Sequence, residues 1–295
     1  MKPTTPRHLL LATDLSGRCD RALERTIELT KRWGARLTVV HALEQTPAFT
    51  GAQVRRRRFW HDPEERSVAV ARQLQADIHD DGVKASVVVE EGNPGELVLQ
   101  AAAKQGADLI LTGTARSEPF GRLLLGATVE RLVRQAAAPV LVVRNRVRGP
   151  YRNIVVATDF SAASSQALTR AAAFFGESRL TLFHAYQTPY AGMASAGTSE
   201  VAWGRMARSE VEAFVAASAL PDEVKRGLGV IIEPGRADGV LRDYVQQQGV
   251  DLVVLGKRGR SAMLNLLLGS TSEALIHLLP CDVMVAQEAD AVDGC

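Results

Sequence analysis

The chain alternates short runs of apolar, largely β-branched residues with longer stretches in which apolar positions recur at helical spacing. In the C-terminal half the runs Ile154 to Ala157, Leu180 to Phe183, Val230 to Ile232, Leu252 to Leu255 and Val283 to Ala286 predict five strands. The N-terminal half offers matching runs. Because these runs are almost wholly apolar, they read as strands buried on both faces, with the helical stretches between them providing the cover. The pattern predicts βαβ units and a mainly parallel sheet.

The same pattern occurs twice. HLLLATDLS from His8 returns as NIVVATDFS from Asn153, RLTVVHA from Arg36 as RLTLFHA from Arg179, GADLILTG from Gly106 as GVDLVVLG from Gly249, and Gly126 as Gly269. The last three pairs share an offset of 143 residues and the first is offset by 145, which places a two-residue difference inside the first helix of each half. The expected fold class is therefore α/β: two tandem open, mainly parallel five-stranded sheets with helices on both faces, in the Rossmann-like manner. The segment RNRVRGP, from Arg144 to Pro150, is polar and carries Gly and Pro, so the expected division is domains 1–147 and 150–287 with a tail 288–295.

Composition removes several function classes. At about 150 residues per domain, 295 residues suit two domains, and no stretch approaches the ~20 uncharged apolar residues of a membrane span. Thirty-five Lys and Arg against 33 Asp and Glu leave a charge of +2, too balanced for sequence-independent binding of nucleic acid. The run Arg55 to Arg58 before Phe59 and Trp60 resembles a nucleic-acid patch, but its counterpart near Gly192 to Val201 is rich in Ala, Gly and Ser. It reads instead as a solvated helix start or a subunit contact. Cys19, Cys281 and Cys295 form no CxxC pair and have no histidine at metal-ligand spacing, so neither a disulfide framework nor a metal site is expected. The opening MKPTTPRHLLLATD meets an aspartate too soon for a secretory signal, and a cytoplasmic setting is expected.

In an open α/β sheet, ligands bind beyond the carboxyl ends of the strands, which draws attention to Asp159, to His184 with Ala185, and to Gly256. From Gly256 runs GKRGRSAMLNLLLGSTSEAL, in which Gly256, Gly259 and Gly269 precede three hydroxyl residues, Ser270, Thr271 and Ser272. Ser270 with Glu273 makes a capping-box pattern that would start a helix at the third glycine. Glycines admit close approach of main-chain N–H groups to an anion, a helix start adds unpaired N–H groups, and Lys257, Arg258 and Arg260 add positive charge. The bland reading of the same residues is a tight turn and a capped helix; the preceding strand and the repeat favour an anion cradle. Asp14 and Asp159 precede Ser16 and Ser161, which are placed to cap the next helix, and His41 and His184 read as hydrogen-bonded packing residues rather than catalysts. Neither a GxxxxGK[ST] loop nor a GxGxxG fingerprint after a first strand is present.

The G-x2-G-x9-G-[ST] run from Gly256 to Ser270, Asp159 in VVATDFS and the LFHA strand end resemble the nucleotide-binding signature of the universal stress protein family. The resemblance covers nearly the whole chain, twice, as in a tandem two-domain member. It implies an adenine nucleotide, typically ATP with Mg left open, held in the second half as a stress-linked regulator with little or no turnover. Gly256, Gly259, Gly269 and Ser270 would hold the phosphates, with Thr271 next in line, and Asp159 and Ala185 would contact the adenosine end. It also implies a homodimer made through the last strand and leaves protein partners unidentified. Two alternatives remain: slow ATP hydrolysis or autophosphorylation on Ser270, Thr271 or Ser272, and a scaffold without nucleotide. No carboxylate or histidine is recognisable as the residue that orients an attacking water. The first half departs from the pattern, since in GTARSEPFGRLLLGAT Arg116 replaces the second glycine and Ala127 the hydroxyl. A degenerate site is expected there, although Asp14, Ala42 and Thr128 keep matching positions.

Overall fold

The computed structural model describes residues 5–17, 19–43, 63–80, 82–114, 125–187, 196–259 and 268–287. The first half runs β1 (His8–Thr13), α1 (Cys19–Trp33), β2 (Arg36–Leu43), α2 (Pro63–Asp80), β3 (Ala85–Glu91), α3 (Pro94–Gln105), β4 (Leu109–Gly113), α4 (Ala127–Gln135) and β5 (Val140–Val143). The second runs β6 (Asn153–Ala157), α5 (Ala162–Phe174), β7 (Arg179–Tyr186), α6 (Ala196–Ala217), a short α7 (Asp222–Gly227), β8 (Gly229–Pro234), α8 (Ala237–Gln248), β9 (Leu252–Gly256), α9 (Ser270–Leu278) and β10 (Asp282–Ala286). Each of the five strands predicted in the second half lies inside an observed one. Helix α1 has 15 residues and α5 has 13, so the length difference falls where the change of offset put it.

Within each half the strands are parallel, but the two sheets are not separate. Their order is β3-β2-β1-β4-β5-β10-β9-β6-β7-β8, one ten-stranded sheet in which β5 and β10 pair antiparallel. The register is Val142 with Val283, Leu141 with Met284 and Val140 with Val285. Leu141 and Met284 are equivalent residues of the two repeats, so a local two-fold axis passes between them. This corrects one expectation: the last strand of each half is already flanked on both sides, by β4 and β10 or by β9 and β5. A homodimer through the last strand has no free edge to use, because the chain makes that contact with itself.

Alternation along the strands sends side chains to two cores, one on each face of the sheet. Leu9 and Leu11 of β1 join the face covered by α1 and α5, while Leu10 and Ala12 join the face covered by α3, α4, α8 and α9. Both cores continue across the seam between the halves. On the first face Trp33 at the end of α1 packs on Phe174 and Phe175 at the end of α5, with ring centroids 6.0 and 5.6 Å apart.

The segment joining the halves is tied down rather than loose. Asp282, fully buried at the start of β10, accepts from the backbone N–H groups of Arg144 and Asn145 at 2.7 and 2.9 Å and from the Tyr151 hydroxyl at 2.5 Å. Arg25 of α1 lies 3.9 Å over the Tyr151 ring, donates to the Gly149 carbonyl at 2.9 Å, and approaches Asp282 to 4.0 Å. Burial pushes the Asp282 carboxyl above the ordinary aspartate range, against the pull of these donors.

Candidate functional site

The turn from β6 into α5 is built by three side chains, each bonded to a backbone N–H two or three residues on. Thr158 Oγ1 accepts from Phe160 N at 2.9 Å, Asp159 Oδ1 from Ser161 N at 3.1 Å, and Ser161 Oγ, the N-cap of α5, from Ser164 N at 3.2 Å. These bonds hold Phe160 at φ 63°, a left-handed conformation rare for an aromatic residue. Its ring lies 4.2 Å from that of His184 and 5.6 Å from Phe214. His184 Nδ1 donates to the Thr158 carbonyl at 2.9 Å, so this histidine braces the turn, as expected of a packing residue. The first half repeats the device: Leu15 has φ 59°, Thr13 and Asp14 accept from Leu15 N and Ser16 N at 3.1 and 2.9 Å, and His41 Nδ1 donates to the Thr13 carbonyl at 2.9 Å.

The three glycines of the second half serve different ends. A Cβ on Gly256 would stand 2.7 Å from the Ala163 carbonyl carbon and 2.9 Å from Ser164 N, so this glycine lets the end of β9 press against the start of α5. A Cβ on Gly259 would stand 2.8 Å from Asp159 Oδ2, which places the loop directly against the carboxylate. Gly269 has no neighbour nearer than 3.4 Å to its would-be Cβ, and its N–H donates to the Lys257 carbonyl at 3.0 Å. That amide closes the loop on itself, so in this structure it is engaged internally rather than offered to a ligand.

The expected capping box does not form. Gly269, not Ser270, is the N-cap of α9, no side chain caps it, and Ser270 is the first helical residue. Glu273 N bonds the Gly269 carbonyl at 2.8 Å, while the Glu273 carboxylate turns to Arg134 of α4 at 2.8 Å. The spacing fits a box, but the chain enters the helix one residue earlier. As a result the N–H groups of Ser270, Thr271 and Ser272 precede any intrahelical acceptor, and the positive end of the α9 dipole lies at the same spot. Ser272 Oγ donates to the Gly256 carbonyl at 2.9 Å and locks the helix start to the strand end.

These elements enclose a cavity of about 470 Å³ beyond the carboxyl ends of β6, β7 and β9. Asp159, Ala185, Gly256, Gly259, Gly269, Ser270 and Thr271 all line it, so the structure brings these seven together, whereas Lys257, expected to add positive charge, is buried and does not line it. Arg258 and Ser164 also reach it, and its floor is apolar, made by Phe183, Leu241, Leu255 and Leu275. Sequence reasoning missed that floor, since these are ordinary core residues whose shared address depends on how α8 and α9 pack. The equivalent cavity of the first half is about 160 Å³ and is lined by Asp14, Ala42, Gly126 and Thr128, with Cys19 where the second half has Ser164. Burial, with Asp14 beside it, pushes the Cys19 thiol up to about 11, and burial beside Asp282 pushes Cys281 up to about 12. Both cysteines are free. Arg116, Arg260, Cys295 and the segment Arg55 to Trp60 lie outside the described residues. Among the described residues no group of three His, Cys, Asp or Glu is placed to hold a metal ion, and no helix is long and apolar enough to cross a membrane.

The chain matches the universal stress protein family twice, over residues 5–144 and 150–287. It is 35% identical over 138 residues to a universal stress protein of Thermus aquaticus, spanning 46% of this chain and 97% of that one. It is 27% identical over 140 residues to universal stress protein MJ0531 of Methanocaldococcus jannaschii, covering 47% of this chain and 82% of the relative. Among solved structures, the functionally unknown protein PA1789 of Pseudomonas aeruginosa superposes with a TM-score of 0.69 at 19% identity, covering 97% of this chain and 94% of that one. A universal stress protein of Archaeoglobus fulgidus gives 0.65 at 20% identity, covering 95% and 98%. These last two show a shared fold over both halves.

Proposed function

Since the chain belongs to the universal stress protein family as a tandem two-domain member, we propose that it is a regulatory protein that binds an adenine nucleotide, ATP foremost, in its second half. The observation that carries this reading is convergence. One cavity of about 470 Å³, within the range of small-molecule sites, collects the free N–H groups at the start of α9, the glycine loop and the Asp159 carboxylate over an apolar floor. The residues fit the group. Ser270 and Thr271 would hold phosphate through amide and hydroxyl, Gly259 supplies a stretch of backbone that any larger residue would fill, and the apolar floor with Ala185 suits a base. Asp159, whose Oδ1 accepts from Ser161 N and whose Oδ2 faces the loop at Gly259, lines the same cavity and would contact the adenosine end. A magnesium ion would travel with the phosphates.

The protein binds rather than turns over. Each donor in the cradle stabilises bound phosphate in its ground state, while His184 is engaged by the Thr158 carbonyl and Ser272 by the Gly256 carbonyl. The first half, with its smaller cavity, serves assembly, and the two buried free thiols suit a reducing, cytoplasmic setting.

Titration calorimetry with Mg-ATP, ADP and AMP on the full chain tests the reading, alongside a Gly259→Arg variant that copies Arg116 of the first half into the second. Wild type should bind one nucleotide per chain. In the variant the new side chain must displace Asp159 and occupy the cradle, so binding should fall below detection. Equal affinity of variant and wild type, or no binding by wild type, would refute the site.

A further inference from the structure

Helix α9 belongs to the second half, yet much of what fixes it comes from the first. The Arg144 guanidinium, after β5, donates to the Ile276 carbonyl of α9, and Gln287, after β10, donates to the Val133 carbonyl of α4 at 3.1 Å. Arg144 and Gln287 are equivalent positions of the repeat, as are Val133 and Ile276, so these are reciprocal straps across the local two-fold axis. A third contact joins α4 and α9 directly. Arg134, in the last turn of α4, pairs with Glu273 in the first turn of α9 at 2.8 Å; the equivalent positions of the repeat are His277 and Glu130.

Glu273 sits three residues after Ser270, beside the amides that form the anion end of the cavity, but it does not line that cavity. An unmatched carboxylate in this turn would favour the helix dipole and oppose a polyphosphate at the same place. Resting on the nucleotide reading above, we propose that Arg134 of the first half is a positioning residue for the phosphate end of the second half's site. It draws the Glu273 carboxylate onto α4 and neutralises it, so that the cradle keeps its positive character. The first half thereby tunes the affinity of its neighbour for phosphate number, whatever its own cavity holds.

The test is an affinity ladder of adenosine, AMP and Mg-ATP on the full chain, for wild type, Arg134→Ala, Arg134→Lys and Arg134→Ala with Glu273→Gln. A unit charge on the order of 10 Å from doubly charged Mg-ATP in a water-like dielectric corresponds to about a fourfold change in affinity. Arg134→Ala should therefore weaken Mg-ATP by about fourfold at low salt and by less at high salt, and leave adenosine unchanged. Arg134→Lys should keep most of the wild-type affinity. Adding Glu273→Gln should restore Mg-ATP binding, a rescue that a merely structural strut would not show. Unchanged Mg-ATP affinity in Arg134→Ala, equal losses for adenosine and Mg-ATP, or failure of the rescue would each overturn the role of Arg134 while leaving the site reading intact. Absence of nucleotide binding by wild type would instead overturn the site reading and this inference with it.

Discussion

Replacing Asp282 should be among the most damaging single changes in the protein, although it lies outside the candidate site. Its carboxylate is wholly buried and gathers the N–H groups of Arg144 and Asn145, the Tyr151 hydroxyl at 2.5 Å and the Arg25 guanidinium at 4.0 Å. Asp282→Ala strands two amides and a phenol where water does not reach, and takes from the buried Arg25 one of its two carboxylates, the other being Glu28 at 3.0 Å. An orphaned buried polar group costs about 1–3 kcal/mol, and removing one partner of a buried ion pair costs about 3–5 kcal/mol. The expected loss is about 3–5 kcal/mol, a large share of the ~5–15 kcal/mol that holds a domain folded. Asp282→Asn keeps the shape and one acceptor oxygen, and should lose about 1–3 kcal/mol. The pH dependence has a definite sign. Burial holds the native carboxyl above its unfolded value of 3.8, so the native state binds the proton more tightly, and the stability Asp282 contributes is lost as pH rises through the native pKa. The gap between wild type and Asp282→Asn should thus be widest near about pH 4 and narrow toward neutrality. Urea unfolding of the three proteins across this range measures it. An Asp282→Ala variant within about 1 kcal/mol of wild type, or a gap that widens toward neutral pH, would refute the account.

Glycine substitutions in the cradle should separate cleanly by thermal unfolding. Gly256→Ala drives a methyl to 2.7–2.9 Å from the backbone of Ala163 and Ser164 and should cost about 1–3 kcal/mol, whereas Gly269→Ala meets nothing nearer than 3.4 Å and should cost only what a poorer N-cap does, about 0.5 kcal/mol; equal costs would contradict the packing described. Cys19 and Cys281, with thiols near 11 and 12, should resist alkylation at about pH 8 in the folded chain and react once urea is added, as read by peptide mass spectrometry. Rapid stoichiometric labelling of either in the native protein would be inconsistent with its burial.

The strands were legible because a strand buried on both faces leaves a short apolar run rich in β-branched residues and bounded by turn signals, as in LVVL of β9. How the sheets join was not, for VLVV of β5 and VMV of β10 look alike whether they end a sheet or pair across an axis. The glycine loop and Asp159 could be found because each lies directly after a strand, so local sequence carries their position. Other features depend on residues far away. Asp282 is an ordinary letter at a strand start until Arg25, Arg144 and Tyr151 surround it. Arg144 counts as linker polarity in the sequence, yet is only 6% exposed in the fold. The misreading of Glu273 is of the same kind: S-x-x-E is a capping pattern locally, and only the approach of α4 gives the carboxylate another partner. Phe160 at φ 63° was hidden because no glycine marks the turn.

The local two-fold axis carries a consequence for the isolated second half. In the full chain β10 presents Val283, Met284 and Val285 to Val142, Leu141 and Val140, and the equivalent residues of the two repeats meet at Leu141 and Met284. Because the axis relates equivalent positions, a second copy of residues 150–287 can take the place of the first half, with Met284 facing Met284. The amides that Asp282 takes from Arg144 and Asn145 are backbone groups, and any residue following the last strand of a partner copy supplies them. Such a pair keeps Tyr151 on Asp282, since both lie within residues 150–287, but lacks Arg25, so it should be weaker than the intramolecular contact, which also benefits from a millimolar-scale effective concentration. The fragment should therefore sediment as a dimer at about 50 μM, and Met284→Lys, by placing a charge at the centre of the exposed edge, should leave it monomeric. A monomeric wild-type fragment at that concentration would show that the seam depends on Arg25 and the rest of the first half more than on strand pairing. If the dimer forms, strand pairing and the shared cores suffice for the seam. Fusion then explains the asymmetry of the loops: the chain guarantees the contact, so the loop carrying Ala127 can leave the motif without loosening the sheet that holds the other half's site.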